Sequence, residues 1–169
     1  MLQDGDVLKA IYCHHDGSLS HNGVILQKAY QDLDKVKKLI SLGDLSALGE
    51  NLEPFAGLEK LSEKTQNHLR HEADKYTCAY WRDRYAKLAR FKNHPTWFNN
   101  YSKKEFKALT YHIKPGENAF ETLQRLLDDD YTNMIYYFYI FKPDAAGKYY
   151  WHVFDGETYC LLSEALKKA

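Results

Sequence analysis

The sequence predicts a single α+β domain, with an antiparallel sheet of four to five strands and helices packed on one face. The chain has 169 residues, a length typical of one domain. Its last third is rich in aromatic and β-branched residues between turn signals, which indicates strands. Its first half instead carries apolar residues at helical spacing. Helices that cover one face of such a sheet give a two-layer α+β domain.

The first predicted elements are a strand and a short helix. Residues 7–13 are rich in β-branched and aromatic residues and lie between turn signals at residues 4–5 and 16–18, which predicts a strand. Residues 23–30 carry apolar side chains at helical spacing, which predicts a short helix.

A second helix is predicted before Gly43. Asp32 or Asp34 can cap its start, and Gly43 can end it in a left-handed conformation. Its core face is formed by three apolar residues at i, i+3 and i+4, namely Val36, Leu39 and Ile40. Leucines continue at a spacing of three, at Leu42, Leu45 and Leu48, which predicts one further helical turn on the same core.

The middle of the chain carries weaker signals. Residues 51–75 contain a loop and then sparse leucine anchors, which predicts a weak helix or a mobile segment within the single domain of residues 1–169. Residues 76–81 are predicted as a strand that joins the sheet. A capping box predicts a helix over residues 103–110, and one apolar face predicts another over residues 117–127.

The last third predicts an antiparallel meander of three strands. They span residues 134–141, 149–154 and 158–161, and Asp155-Gly156 is a hairpin signal between the last two. Ser163 is placed to cap a short terminal helix.

Charge and cysteine spacing exclude several classes of protein. The 23 basic and 23 acidic residues give no net charge, unlike a general nucleic-acid binder or a DNA mimic. Three widely spaced cysteines without a CxxC pair indicate reduced thiols in a cytoplasmic protein. Neither a signal peptide nor a run of 18 apolar residues is present, so no membrane partner is expected.

Several motifs resemble one family of proteins. They are Ile11-Tyr12-Cys13-His14-His15-Asp16-Gly17, the Leu-Gly-Asp-Leu-Ser run at residues 42–46, the Tyr80-Trp81-Arg82-Asp83-Arg84 segment and the Leu-Ser-Glu-Ala-Leu helix at residues 162–166. Together they resemble a family of small phage and prophage accessory proteins. The resemblance is specific over residues 5–50 and looser over 76–84 and 134–168. It implies a protein that acts on host machinery inside the bacterial cell, through binding and without established chemistry.

This chain departs from the family pattern at its start. Similar proteins have a full strand before the Asp-Gly turn, whereas here the chain begins almost at that turn. We therefore expect the first hairpin strand to be missing. The edge of residues 7–13 then needs a cover, either from another part of the chain or from a second copy in a homodimer.

The first candidate site lies just after the first strand. Cys13, His14, His15, Asp16 and His21 are metal-ligand types, and His14 and Asp16 would share a strand face. His14, Asp16 and His21 are also predicted to contact a ligand or partner. Adjacent His14 and His15 on a strand would point to opposite faces, which makes one shared ion difficult. Alternatively, Cys13 packs in the core while Asp16 and His21 shape the turn and cap the next helix.

The second candidate site is an aromatic and arginine-rich segment. An arginine fork can grip a phosphate or carboxylate, and neighbouring rings can stack on a base. The alternative is a structural ion pair. The residues predicted to contact a ligand or partner here are Tyr80, Trp81, Arg82, Arg84, Tyr85, Arg90 and Phe91.

Three functional hypotheses follow. The leading one is a phage-encoded protein that binds and inhibits a host protein or protein–nucleic-acid complex, such as a CRISPR-Cas defence system. The first alternative is a protein that sequesters a nucleotide through Arg82 and Arg84. The second is a metal-dependent hydrolase built on His14, Asp16 and His21. Phosphate-loop, dinucleotide-binding, zinc-protease and serine-hydrolase motifs do not occur, so no cofactor and no catalytic residue is predicted.

Overall fold

The computed structural model describes residues 1–54, 60, 62, 64–65, 76–79, 107–127 and 137–169. The strands in these residues are β1 (Leu2–Asp4), β2 (Val7–Ala10), β3 (Leu45–Ala47), β4 (Cys78–Ala79), β5 (Leu109–His112), β6 (Phe138–Pro143), β7 (Tyr149–Phe154) and β8 (Tyr159–Leu161). The helices are α1 (Val24–Ala29), which continues a π-helical turn at Leu19–Gly23, α2 (Leu33–Ser41), α3 (Ala119–Leu127) and α4 (Leu162–Lys168).

Six of the strands form one sheet, in the order β5-β2-β1-β6-β7-β8. The pair β1–β6 is parallel, and the other four neighbouring pairs are antiparallel. The predicted α+β class is therefore confirmed. The predicted sheet of four to five antiparallel strands is only roughly matched, because β1 and β5 enlarge it to a mixed sheet of six.

The N-terminal strand that was expected to be missing is present as β1. Gly5, with a φ of 62°, turns the chain so that β1 pairs with β2. β5 pairs with the other edge of β2, so Leu109 and Thr110 are extended and do not end a helix as predicted. Both edges of β2 are thus covered within the chain. A homodimer paired along this edge would have no open strand to use.

The sheet carries helices on both faces, whereas the sequence predicted helices on one face. Residues alternate along β6, so that Phe138 and Ile140 face one side and Phe141 faces the other. Phe141 belongs to the core that contains α1, α2 and α4. Ile140 packs with Leu123 of α3 in the second core. Helices cover both faces because β6 presents apolar side chains on each of them, as strands in sheets covered on both sides do.

Two of the predicted helices, α2 and α3, are confirmed, and for α2 the predicted cap and the predicted end are confirmed as well. The Asp32 carboxylate caps α2 by accepting a hydrogen bond from Lys35 N at 2.9 Å, and the Val36 stripe is buried. Gly43 follows α2 with a φ of 75°. At the start of α3, Asn118 and Glu121 accept hydrogen bonds from each other's backbone N–H groups.

A second sheet of two strands forms where the sequence predicted a helical turn and a further strand of the main sheet. Leu45–Ala47 was predicted as a helical turn but forms β3, and β3 pairs with β4 instead of leaving β4 to join the main sheet. All three residues of β3 are buried, so the alternation that marks an exposed strand is absent from its sequence. Tyr30 ties this sheet to the main core, because its hydroxyl contacts Thr77 Oγ1 at 2.9 Å and Trp151 Nε1 donates to its carbonyl.

The hairpin predicted at Asp155-Gly156 is present between β7 and β8. Asp155 accepts hydrogen bonds from the backbone N–H groups of Glu157 and Thr158, and Gly156 has a φ of 98°. The terminal helix α4 begins at Leu162 without a side-chain cap, so the predicted cap at Ser163 was wrong. In the part of the chain that the structure describes, no helix has the length and apolar character needed to cross a bilayer.

Candidate functional site

The loop of residues 11–18 leaves β2 and is fixed along β3. Four hydrogen bonds hold it: Leu45 N to Tyr12 O at 2.7 Å, His14 N to Leu45 O at 2.9 Å, His15 N to Ser46 O at 3.0 Å, and Tyr12 N to Asp44 Oδ1 at 2.8 Å. Burial raises the pKa of Asp44, while the Tyr12 N–H opposes that rise by hydrogen bonding to the carboxylate. Because its backbone groups are paired, the loop is held in one conformation.

A second support comes from the main sheet. The Tyr139 hydroxyl on β6 donates a hydrogen bond to Gly17 O at 3.0 Å. Burial raises the pKa of Tyr139, so the phenol keeps its proton and remains a donor at neutral pH. Asp16 lies between the two supports with a φ of 56°, a left-handed conformation that Asp tolerates better than most residues. The predicted role of Asp16 in shaping the turn is consistent with this backbone.

The loop displays three rings to solvent, and we call Tyr12, His14 and His15 the loop aromatic surface. Tyr12 is 43% exposed, and both histidines are exposed. The Tyr12 and His14 ring centroids are 6.2 Å apart, and those of His14 and His15 are 4.4 Å apart at an angle of 73°. The expectation that the two histidines point to opposite faces was therefore wrong. Alternation holds from Tyr12 to His14, with Cys13 turned inward at its bridge to Leu45, and it ends where the chain bends at His15.

Cys13 faces the interior. Its thiol lies 3.4 Å from His15 O, as a donor, and 3.5 Å from Asn22 Nδ2. Burial raises the pKa of the Cys13 thiol to about 11. The thiol is therefore protonated at neutral pH and is a poor nucleophile. The alternative in which Cys13 packs against the core is the one that its environment supports.

The three residues of the hydrolase hypothesis do not form a metal site. His21 lies in the π-helical turn, where its Nδ1 is 3.1 Å from Asn22 Oδ1. Within the described ranges, no group of three or more His, Cys, Asp or Glu side chains could hold a metal ion. His14, Asp16 and His21 are all described, so they do not gather around one ion.

The second predicted site lies outside the described residues. This applies to all of its members, namely Tyr80, Trp81, Arg82, Arg84, Tyr85, Arg90 and Phe91. Their predicted role as ligand or partner contacts stays a prediction. Sequence reasoning missed Asp44 and Tyr139, which support the loop from distant parts of the chain. Of these two residues, only Asp44 lies where the sequence indicates a turn, directly after Gly43. Asp side chains commonly accept hydrogen bonds from backbone N–H groups at turns.

Comparison of the chain with protein-family models, with curated proteins and with solved structures finds no match.

Proposed function

We propose that this chain acts by binding a host protein, and that the loop aromatic surface forms part of the contact. The observation that carries the proposal is the combination of exposed rings and a held backbone. Tyr12 supplies a large side chain of the type that dominates binding energy at protein interfaces. A loop already held in its conformation loses less conformational entropy when it binds.

The chemistry of the loop supports binding over catalysis. The Cys13 thiol is protonated, and His14, Asp16 and His21 do not gather into a ligand group. The balanced charge of the chain favours a protein surface over bare nucleic acid as the main contact.

The resemblance to phage accessory proteins supports the biological setting of the proposal. A phage protein of this kind would bind and inhibit a host factor in the bacterial cell, and a defence complex such as CRISPR-Cas is the partner class we propose. The aromatic and arginine-rich segment of residues 80–101 remains the binding surface that the sequence predicts for this partner.

Capture from infected host cells tests the proposal. The tagged full chain is compared with Tyr12→Ala and with Leu109→Ala, which removes a side chain of similar apolar character that is 57% exposed on β5. We expect one stoichiometric partner with the unchanged chain and with Leu109→Ala, and its loss with Tyr12→Ala. The hydrogen bonds of Tyr12 that hold the loop use only backbone atoms, so Tyr12→Ala should fold.

Two results would count against the proposal. One is the recovery of no stoichiometric partner with the unchanged chain. The other is a partner that Tyr12→Ala retains as well as Leu109→Ala does. Thermal unfolding of both variants checks that neither has lost its fold.

A further inference from the structure

Four polar or aromatic side chains meet on the sheet face opposite the one that supports the loop. Lys142 of β6 pairs directly with Tyr150 of β7, and His152 pairs with Ile140. Directly paired residues share a face, as do residues two apart along a strand. Tyr159 of β8 pairs with Phe154 and joins the same face. We call Lys142, Tyr150, His152 and Tyr159 the Lys142 cluster.

The rings of this cluster are ordered. The His152 and Tyr159 rings stack with centroids 5.4 Å apart, and Tyr159 also stacks on Phe120 of α3 at 4.4 Å. Lys142 Nζ lies 5.5 Å from the Tyr159 centroid. The Tyr150 ring meets the Lys148 ammonium group at 5.2 Å and stacks on no other ring among the described residues. Tyr150 is half-buried and pairs with Lys142 across the two strands, so its ring lies beside that lysine, with Lys148 over one face.

The cluster places the Lys142 ammonium group beside the His152 ring, with no carboxylate paired to either side chain among the described residues. Burial lowers the pKa of Lys142. Burial and then the Lys142 charge lower the pKa of His152. A hydrogen bond between His152 Nδ1 and Tyr150 O, at 3.2 Å, and the charge of Glu164 on α4 partly oppose this shift. An anion placed here would stabilise both charged forms.

The Lys142 cluster also contains a buried hydroxyl group. The Tyr159 hydroxyl is buried and has no hydrogen-bond partner among the described residues. Burial raises the pKa of Tyr159 to about 12, so this hydroxyl stays protonated and can donate. Buried hydroxyls without partners are uncommon. This one lies beneath the surface of the cluster, so the ligand contacts fall to the partly exposed Lys142, Tyr150 and His152.

We propose that the Lys142 cluster binds a nucleotide. Lys142 and His152 would hold the phosphate, and the base would stack on Tyr150. Stacking together with a nearby cation is the combination that recognises nucleotides without reading their sequence. This site uses none of the residues of the loop aromatic surface, so it is a function beyond the proposed partner binding. It also differs from the arginine-based nucleotide site that the sequence suggested.

Calorimetric titration of the full chain at neutral pH and low ionic strength tests this site. The probes are AMP, GMP, CMP and UMP, with adenosine and inorganic phosphate as partial ligands. We expect at least one monophosphate to bind, and adenosine and phosphate to bind at least tenfold more weakly. Lys142→Met and Tyr150→Leu should each lower the affinity about tenfold.

Lys9→Met is the matched control, because Lys9 pairs with Leu2 on the opposite face of the same sheet. It should change the affinity less than twofold. The site is overturned if no monophosphate binds at millimolar concentration. It is equally overturned if Lys142→Met binds as well as Lys9→Met, or if phosphate alone binds as tightly as the monophosphates. Thermal unfolding confirms that each variant is folded.

Discussion

The Cys13 thiol lies against the core, 3.5 Å from Asn22 Nδ2, while the His14 and His15 rings are exposed to solvent. His14 and His15 contact each other at the point where the chain bends, at His15. The residue types of this segment are visible in the sequence, but the directions of their side chains are not. These directions depend on hydrogen bonds to Asp44 and Leu45, about 30 residues away, which no local pattern reveals.

Cys13 should react slowly with alkylating reagents. Only the thiolate reacts, and a pKa of about 11 leaves far less thiolate at pH 7.4 than in an unfolded chain. We expect iodoacetamide to modify Cys13 in the folded protein about 100-fold more slowly than in urea, by a pKa difference of about two. Peptide mass spectrometry measures this rate. Equal rates in the two states would show that the thiol is accessible and ionised.

The sequence shows Lys142 and His152 as residues, but it does not show that they lie on one face of the sheet. Each is a single polar residue within an apolar strand, which was a visible but weak signal. Their meeting with Tyr159 depends on the register of three strands, and a shift of one residue would send each side chain to the other face. The sequence alone does not fix that register.

At the scale of elements, strong local signals predicted structure well and short apolar runs did not. The apolar stripe and cap of α2 and the Asp155-Gly156 hairpin were predicted and are present. β1 and β3 have three residues each, which is too short for a periodic pattern. Their strand character comes from pairing with β2 and β4, which are partners that sequence patterns do not specify.

The β7–β8 hairpin should depend on the Asp155 carboxylate. Asp155→Ala removes the acceptor for two backbone N–H groups, and we expect a loss of about 1 kcal/mol in the free energy of unfolding. Chemical denaturation at pH 7 measures it. Glu157→Gln is the control, since it removes a charge from the same exposed turn. A loss with Glu157→Gln as large as that with Asp155→Ala would point to net charge as the cause.

The contribution of Asp155 should also depend on pH. Hydrogen bonds from Thr158 and Glu157 lower its pKa in the folded state below 3.8. The carboxylate therefore stabilises the fold fully above its unfolded pKa, and this stabilisation is lost as pH falls through the lower folded pKa. The difference between the unchanged chain and Asp155→Ala should shrink below about pH 4. A constant difference down to pH 2 would contradict the role of the carboxylate.

At the scale of the whole molecule, the sheet separates two surfaces. Tyr139 on one face of β6 supports the loop aromatic surface, and Lys142 on the other face belongs to the proposed nucleotide site. The α+β class followed from composition and pattern. The two-sided cover of the sheet did not, because it requires knowing that α3 packs against Leu8 and Ile140 instead of joining the other helices.

The affinity of the captured partner for the loop variants tests the proposed binding surface most directly. With purified partner and isothermal titration calorimetry, we expect Tyr12→Ala to raise Kd at least tenfold, or about 1.4 kcal/mol. Leu109→Ala should stay within about twofold of the unchanged chain, because Leu109 lies on β5 opposite Ala10 and belongs to the sheet, not to the loop. An unchanged Kd for a fully folded Tyr12→Ala would contradict the assignment of this loop as the binding surface.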